Sequence, residues 1–284
     1  MNSLGTIGVV GAGTMGLGIA QVCASAGFKT ILFDINANQL SLAVQIISKN
    51  LSQSVEKGRM SLDARDAALK NITTTQTLSD VRADMIIEAA VEKLEVKKKL
   101  FGELELVNEG KPILATNTSS ISVTRIAEQL LYKARCIGLH FFNPADKMKL
   151  VEIISGNETD PSLVSIMKDF CVRIGKTPVL AKDSPGFIVN RVARHYYVES
   201  LKLLEEHAIS VADADALLRS AGFKMGPFEL MDLIGVDTNL AVTTSVYEGF
   251  NRASKFAPSA TQQQLVKEGK LGKKSGKGFY DYSK

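Results

Sequence analysis

The chain holds three imidazoles, the side chain whose ordinary titration spans neutral pH: His140, His195 and His207. A positioned imidazole can take the proton of an alcohol or return one to an alkoxide. His195 and His207 fall in helical patterns, where a packed or solvated ring is the plain reading. His140 ends the apolar run 135–140. Ligands of open α/β sheets gather at the carboxyl ends of strands, so position favours His140 as the proton-transfer group. Glu152 lies within Leu150-Val151-Glu152-Ile153-Ile154. An acid in so apolar a strand needs a partner, unless the strand is an edge and the carboxylate faces solvent. If the strands of His140 and Glu152 are neighbours, the carboxylate can bind one ring nitrogen, fix its tautomer and stabilise the imidazolium.

Near the N-terminus, Gly11-Ala12-Gly13-Thr14-Met15-Gly16 fits G-x-G-x-x-G. It follows an apolar run and opens a helical pattern, the context in which such a loop cradles a dinucleotide pyrophosphate. Gly11 permits the tight turn, Gly13 lets backbone approach the phosphates, and Gly16 allows close helix–strand packing. Asp34 stands 18 residues beyond Gly16 (34 − 16), near the spacing at which an acid accepts both ribose hydroxyls. That carboxylate repels a 2′-phosphate and favours NAD over NADP, although Lys29 is near enough to soften the repulsion. Asn117-Thr118-Ser119-Ser120 follows the strand-like run 112–116. It reads either as small polar groups for a substrate oxygen or carboxamide, or as an ordinary helix-entry loop.

These residues need a scaffold of alternating strands and helices. Strands are expected at 6–10, 29–33, 83–88, 112–116, 135–140, 150–154 and 177–181, with helices at 14–26, 36–57, 93–108 and 162–174. The alternation predicts an α/β fold, a Rossmann-type doubly wound sheet over residues 1–184. From residue 187 the texture turns helical, at 187–206, 211–221 and 226–249, with one possible short strand at 279–282. Residues 185–284 are thus expected to form a smaller all-α domain, with Leu201, Leu203, Leu204, Leu217 and Leu218 supplying its core.

Composition excludes several classes. With 45% apolar and 23% charged residues the chain is an ordinary globular one. Its net charge of +4 is spread thinly, which disfavours a nucleic-acid binder and suits an anionic small molecule. Cys23, Cys136 and Cys171 have neither metal-site nor disulfide spacing, and read as small core hydrophobes in a reducing cytoplasm. No leader pattern precedes the first strand and no apolar stretch reaches ~18 residues, so a mature start near Met1 and no membrane span are expected.

The motifs together resemble the 3-hydroxyacyl-CoA dehydrogenase family. The likeness rests on Gly11–Gly16, Asn117–Ser120, Gly138-Leu139-His140-Phe141-Phe142-Asn143-Pro144, Pro185-Gly186-Phe187-Ile188-Val189-Asn190-Arg191, Met225-Gly226-Pro227-Phe228-Glu229-Leu230 and Gly276-Lys277-Gly278-Phe279-Tyr280. It spans nearly the whole chain in order, and the length is similar to that of the bacterial 3-hydroxybutyryl-CoA branch. The resemblance implies NAD-dependent interconversion of acetoacetyl-CoA and 3-hydroxybutyryl-CoA, with His140 as general acid and base, Glu152 as its partner, and Ser119 and Asn190 on the substrate. Asn190 comes from the helical domain, which implies a site in the cleft between the domains. The same resemblance puts Asp34 on the adenine ribose, and Glu92, Lys97, Asn117, Ser119, Asn143 and Lys274 near the nicotinamide half. It places Lys57 and Asn50, where the family has serine, on coenzyme A; without it, Lys49, Lys57 and Arg59 would read as a solvated helix face. No metal is implied, and a homodimer is. Rival readings are a dehydrogenase of a CoA-free 3-hydroxy acid or sugar acid, a CoA- or NAD-sensing module, and a crystallin-like structural protein. Intact Ser119, His140, Glu152 and Asn190 speak against the last.

Overall fold

A computed structural model describes residues 4–283 of the chain, which divides into two compact units, Met1–Asp183 and Ser184–Lys284. The expected start near Met1 lies outside the described residues.

The first unit opens with β1 (Thr6–Val10), α1 (Thr14–Ser25), β2 (Lys29–Phe33) and α2 (Ala37–Glu56). It continues through α3 (Leu62–Lys70), β3 (Ile72–Thr75), β4 (Met85–Glu88), α4 (Leu94–Val107), β5 (Ile113–Thr116) and α5 (Val123–Ala127). It closes with β6 (Cys136–Phe141), β7 (Leu150–Ser155), α6 (Ser162–Arg173) and β8 (Thr177–Lys182). Eight strands form one sheet in the order β3-β2-β1-β4-β5-β6-β7-β8. Every pair is parallel except β6 and β7. The doubly wound expectation holds: the order reverses between β1 and β4, the switch point at which such sheets bind ligands. Helices cover both faces, so β4, β5 and β6 are buried throughout and read as continuous apolar runs.

Three elements here were not expected: α3, β3 and the short α5. α3 has an N-cap, Ser61, whose hydroxyl accepts from the Ala64 amide, but only Ala68 is buried, so the helix shows no apolar stripe. β3 is a half-exposed edge strand, Ile-Thr-Thr-Thr, whose β-branching is its one signal. Cys23, Cys136 and Cys171 are buried, and burial pushes each thiol up, that of Cys171 to about 12. None is a thiolate at neutral pH.

The second unit contains α7 (Val189–Glu205), α8 (Val211–Ser220), α9 (Pro227–Ile234), α10 (Val236–Gly249) and α11 (Ala260–Lys267). The single helix expected over 226–249 breaks at Gly235, whose φ of 103° no helix accommodates. The short strand expected at 279–282 is absent; the tail makes only isolated bridges, Gly272 with Lys277 and Lys277 with Asp281. Leu201 is buried, but Leu203 and Leu217 are exposed. A core cluster forms from Tyr197, Leu201, Ala214, Phe228 and Met231, with Leu204 packed against it. On α7 the buried stripe runs Arg194, Tyr197, Val198, Leu201, and Leu203 lies off it.

Two buried aspartates explain the motifs of this unit. Asp215 accepts from the Phe228 and Glu229 amides at the start of α9 and from the Tyr280 hydroxyl. Asp232 accepts from the Phe279 and Tyr280 amides and the Tyr282 hydroxyl. The C-terminal tail is thereby stapled onto α9. Gly226 and Gly278 are required because a Cβ at either would meet one of these aspartates closer than 3 Å. Among the described residues, no helix is long and apolar enough to cross a membrane.

Candidate active site

The glycine loop leaves β1 at the switch point. Gly11 has φ of 104°, and a Cβ there would lie 2.6 Å from the Ala89 carbonyl oxygen. A Cβ on Gly16 would sit 1.7 Å from the Gly11 carbonyl oxygen, which is the close helix–strand contact expected of it. Gly13 is different: nothing lies within 4 Å of its would-be Cβ. It is the N-cap of α1, has no side chain to cap the first amides, and no acid stands in the first turn. Thr14 and Met15 follow it, so the loop presents free amides and the positive end of a helix to open space.

At the end of β2, Asp34 Oδ2 accepts from the Ala12 amide at 2.8 Å and Oδ1 from the Asn36 amide at 2.9 Å. Loop and acid form one wall of a cleft of about 740 Å³. Ile35, Val91 and Val96, all exposed, line it as well and offer flat apolar contact. The cleft thus fits the adenosine half of a dinucleotide: amides for phosphate, a carboxylate for ribose, apolar walls for a base. A second cleft, about 720 Å³, opens at the amino ends of the strands beside Thr6, Asp84, Ile113 and Arg135. It contains none of the residues singled out from sequence and lies at the edge where such sheets do not bind ligands.

β6 and β7 are antiparallel neighbours with His140 directly opposite Glu152. His140 Nδ1 lies 2.7 Å from Glu152 Oε2. The two residues are 4% and 1% exposed, so a solvent-facing carboxylate is excluded. The Phe142 ring packs on the imidazole, centroids 4.5 Å apart. β5 pairs with β6 only as far as Thr116 opposite Gly138, so His140 projects beyond β5 at the carboxyl edge.

The Asn117–Ser120 loop fills that edge and is held from two sides. The Asn117 amide donates to the Glu88 carbonyl, and its Oδ1 accepts from the Phe141 amide at 2.9 Å, tying the loop to β6. Glu92 Oε1 accepts from Thr118 Oγ1 at 2.5 Å and from the Ser119 amide at 2.9 Å. Lys97 Nζ donates to both Glu88 oxygens, at 2.7 and 2.9 Å, and pairs with Glu92 Oε2 at 3.1 Å. Glu88 also accepts from Thr116 Oγ1 and the Ala90 amide. Burial opposes ionisation of Glu92, but Lys97 and the donors of Thr118 and Ser119 outweigh it and hold the carboxyl below the usual range. Sequence reading missed Glu88, which looked like the last residue of an apolar strand. Its signal was an acid at a strand end nine residues before Lys97.

The other expected site residues are placed as follows. Asn143 is exposed just after β6. Asn50 on α2 donates to Gln21 Oε1 at 3.1 Å, and Lys57, the exposed C-cap of the same helix, is about two turns further on. In the second unit, Asn190 is in the first turn of α7, and Lys274 Nζ is paired with Asp237 at 2.6 Å.

Comparison with known proteins agrees with this geometry. Residues 6–184 match the NAD binding domain of 3-hydroxyacyl-CoA dehydrogenase, and residues 186–282 match its C-terminal domain. The chain is 48% identical to 3-hydroxyadipyl-CoA dehydrogenase of Escherichia coli (strain K12), over 99% of this chain but only 60% of that protein's length. It is 41% identical to 3-hydroxybutyryl-CoA dehydrogenase of Bradyrhizobium diazoefficiens, over 97% of this chain and 94% of the relative. The crystal structure of (S)-3-hydroxybutyryl-CoA dehydrogenase from Ralstonia eutropha superposes with a TM-score of 0.95 at 36% identity, covering 99% of this chain and all of that one. With a glycine loop, an acid at the end of β2 and a carboxylate-held imidazole on the first unit, and both domain matches in order, the chain belongs to the 3-hydroxyacyl-CoA dehydrogenase family.

Proposed function

We propose that this protein interconverts acetoacetyl-CoA and 3-hydroxybutyryl-CoA, reversibly and with NAD, and that His140 moves the proton. The observation that carries the reading is the buried contact of 2.7 Å between His140 Nδ1 and Glu152, at the carboxyl edge of the sheet. The Gly11–Gly16 loop and Asp34 would hold NADH, which would supply the hydride. In that direction His140 Nε2 delivers a proton to the oxygen on C3. The Glu152 carboxylate keeps the Nδ1 proton in place and offsets the charge of the imidazolium that starts the cycle. In the reverse direction the neutral ring takes the hydroxyl proton. Ser119 and Asn190 hold the reacting oxygen and the thioester end, where donors aimed at developing charge lower the barrier. Glu92 and Lys97 act chiefly by fixing the loop that carries Asn117 and Ser119, with Asn143 and Lys274 toward the nicotinamide ribose. Asn50 and Lys57 meet coenzyme A. The names of relatives support an acyl group of four carbons or, as in 3-hydroxyadipyl, of six with a distal carboxylate. Buried thiols suit a reducing cytoplasm, and a homodimer is proposed from family membership.

The test is purified protein with NADH and acetoacetyl-CoA, followed at the NADH absorbance band. Consumption of NADH is expected with acetoacetyl-CoA and not with free acetoacetate; equal rates with both would move the protein to CoA-free acids. NAD selectivity is tested through Asp34. Asp34→Ala is expected to raise KM for NADH by about 10- to 100-fold, the loss of a charged hydrogen-bond acceptor, and KM for NADPH far less. Equal changes would mean that Asp34 only braces Ala12 and Asn36.

A further inference from the structure

α7 carries a buried charge without a counter-charge. Arg194 is 3% exposed. Its Nε donates to the Asn190 carbonyl at 3.1 Å, and its Nη1 donates to the Asn239 carbonyl at 3.0 Å and to Thr243 Oγ1 at 2.9 Å. All three acceptors are neutral, as is the Tyr197 ring whose centroid lies 4.8 Å from the guanidinium. Among the described residues Nη2 donates to nothing and no carboxylate pairs with the group. Burial brings its pKa down to about 10, with only Tyr197 acting the other way, so the group stays charged at neutral pH. Buried charges are ordinarily paired, because removing an ion from water costs several kcal/mol. A guanidinium fork held rigid by neutral acceptors, with one nitrogen to spare, is shaped to receive a carboxylate.

We propose that Arg194 binds a carboxylate at the far end of the acyl chain and so selects CoA thioesters of six-carbon dicarboxylic acids. The proposal rests on the reading above, in which Asn190 holds the thioester end. Asn190 and Arg194 are four residues apart on α7, one turn and a rise of about 6 Å. Helical side chains lean toward the N-terminus, and the Nε contact with the Asn190 carbonyl shows that this one does. From C1 to C6 an extended six-carbon chain covers five C–C bonds, about 6 Å in projection. The length of such a chain therefore matches the rise between the two positions along the helix axis. A four-carbon acyl group stops short of Arg194 and brings no charge.

Binding of adipyl-CoA and hexanoyl-CoA, neither of which has a 3-keto group to reduce, separates the distal carboxylate from chain length. Isothermal titration of the wild type is expected to show adipyl-CoA bound about 10- to 100-fold more tightly, the range for a hydrogen-bonded charge. Arg194→Met should bring that ratio to about one or below, and Arg194→Lys should keep part of it. Melting curves accompany each variant, because a residue with only a structural role would lower the melting temperature and leave the ratio unchanged. If both variants fail to fold, the wild type decides: equal affinity for the two thioesters overturns the proposal. Acetoacetyl-CoA reduction by the same preparation keeps the underlying reading separate. Turnover with a ratio near one sinks only the role of Arg194, whereas no reduction of either acetoacetyl-CoA or 3-oxoadipyl-CoA sinks the proposed function itself.

Discussion

His140→Gln is expected to lower the turnover of acetoacetyl-CoA by about 10²–10⁴-fold, the usual contribution of a positioned acid–base group. Glutamine fills nearly the same space, and its amide can still donate to Glu152, so the buried carboxylate keeps a partner. What it cannot do is hold and release a proton near neutral pH. NADH binding, read by fluorescence, should be unchanged, because the glycine loop and Asp34 stand on β1 and β2 rather than on β6. The fall should therefore appear in kcat with little change in the affinity for NADH. Near-normal turnover in a folded variant would remove histidine from the chemistry. Glu152→Gln is expected to be damaging in the same measurement, since the imidazolium loses its counter-charge while keeping its hydrogen-bond geometry.

A second large effect is expected on stability. Lys97→Met leaves Glu88, 0% exposed, as a buried carboxylate whose charge partner is gone. Breaking a buried pair from one side costs about 3–5 kcal/mol, which in a domain of this size lowers the melting temperature on the order of 10 °C. Glu88 would keep only Thr116 and the Ala90 amide. Glu92 would lose its cation too, and with it part of the hold on Thr118 and Ser119, so kcat should fall alongside stability. The double variant Glu88→Gln/Lys97→Met removes both charges and should recover a good part of the lost stability, as coupled neighbours do. Melting of the single variant within ~1 °C of wild type would mean that the pair contributes nothing.

Much of this protein was legible in the sequence because the signals were local. The glycine loop, its strand and its helix lie within one βαβ unit, where turn chemistry and apolar runs are enough to place them. Buried strands stood out because a parallel sheet covered on both faces leaves few polar residues in them, and His140 was noticed for interrupting the end of one. Elements without an apolar stripe, such as α3 and the edge strand β3, passed unseen for the converse reason. Leu203 and Leu217 misled because residue type says nothing about helix phase; the face of α7 that packs inward carries Arg194 and Tyr197 instead.

Side-chain partners belong to the tertiary structure. Glu152 was a conditional partner for His140 until antiparallel register set the two opposite each other. Glu88 and Lys97 became a buried pair, with Glu92 joining it from the exposed side, only because α4 returns its lysine beneath the end of β4. Asp215 and Asp232 likewise gained their roles from amides 13 and 47 residues away. Composition and periodicity dictate which faces must be buried, since burial is non-directional and scales with area. A buried charge is decided by direction and distance to particular atoms, and those exist only once the chain has closed on itself.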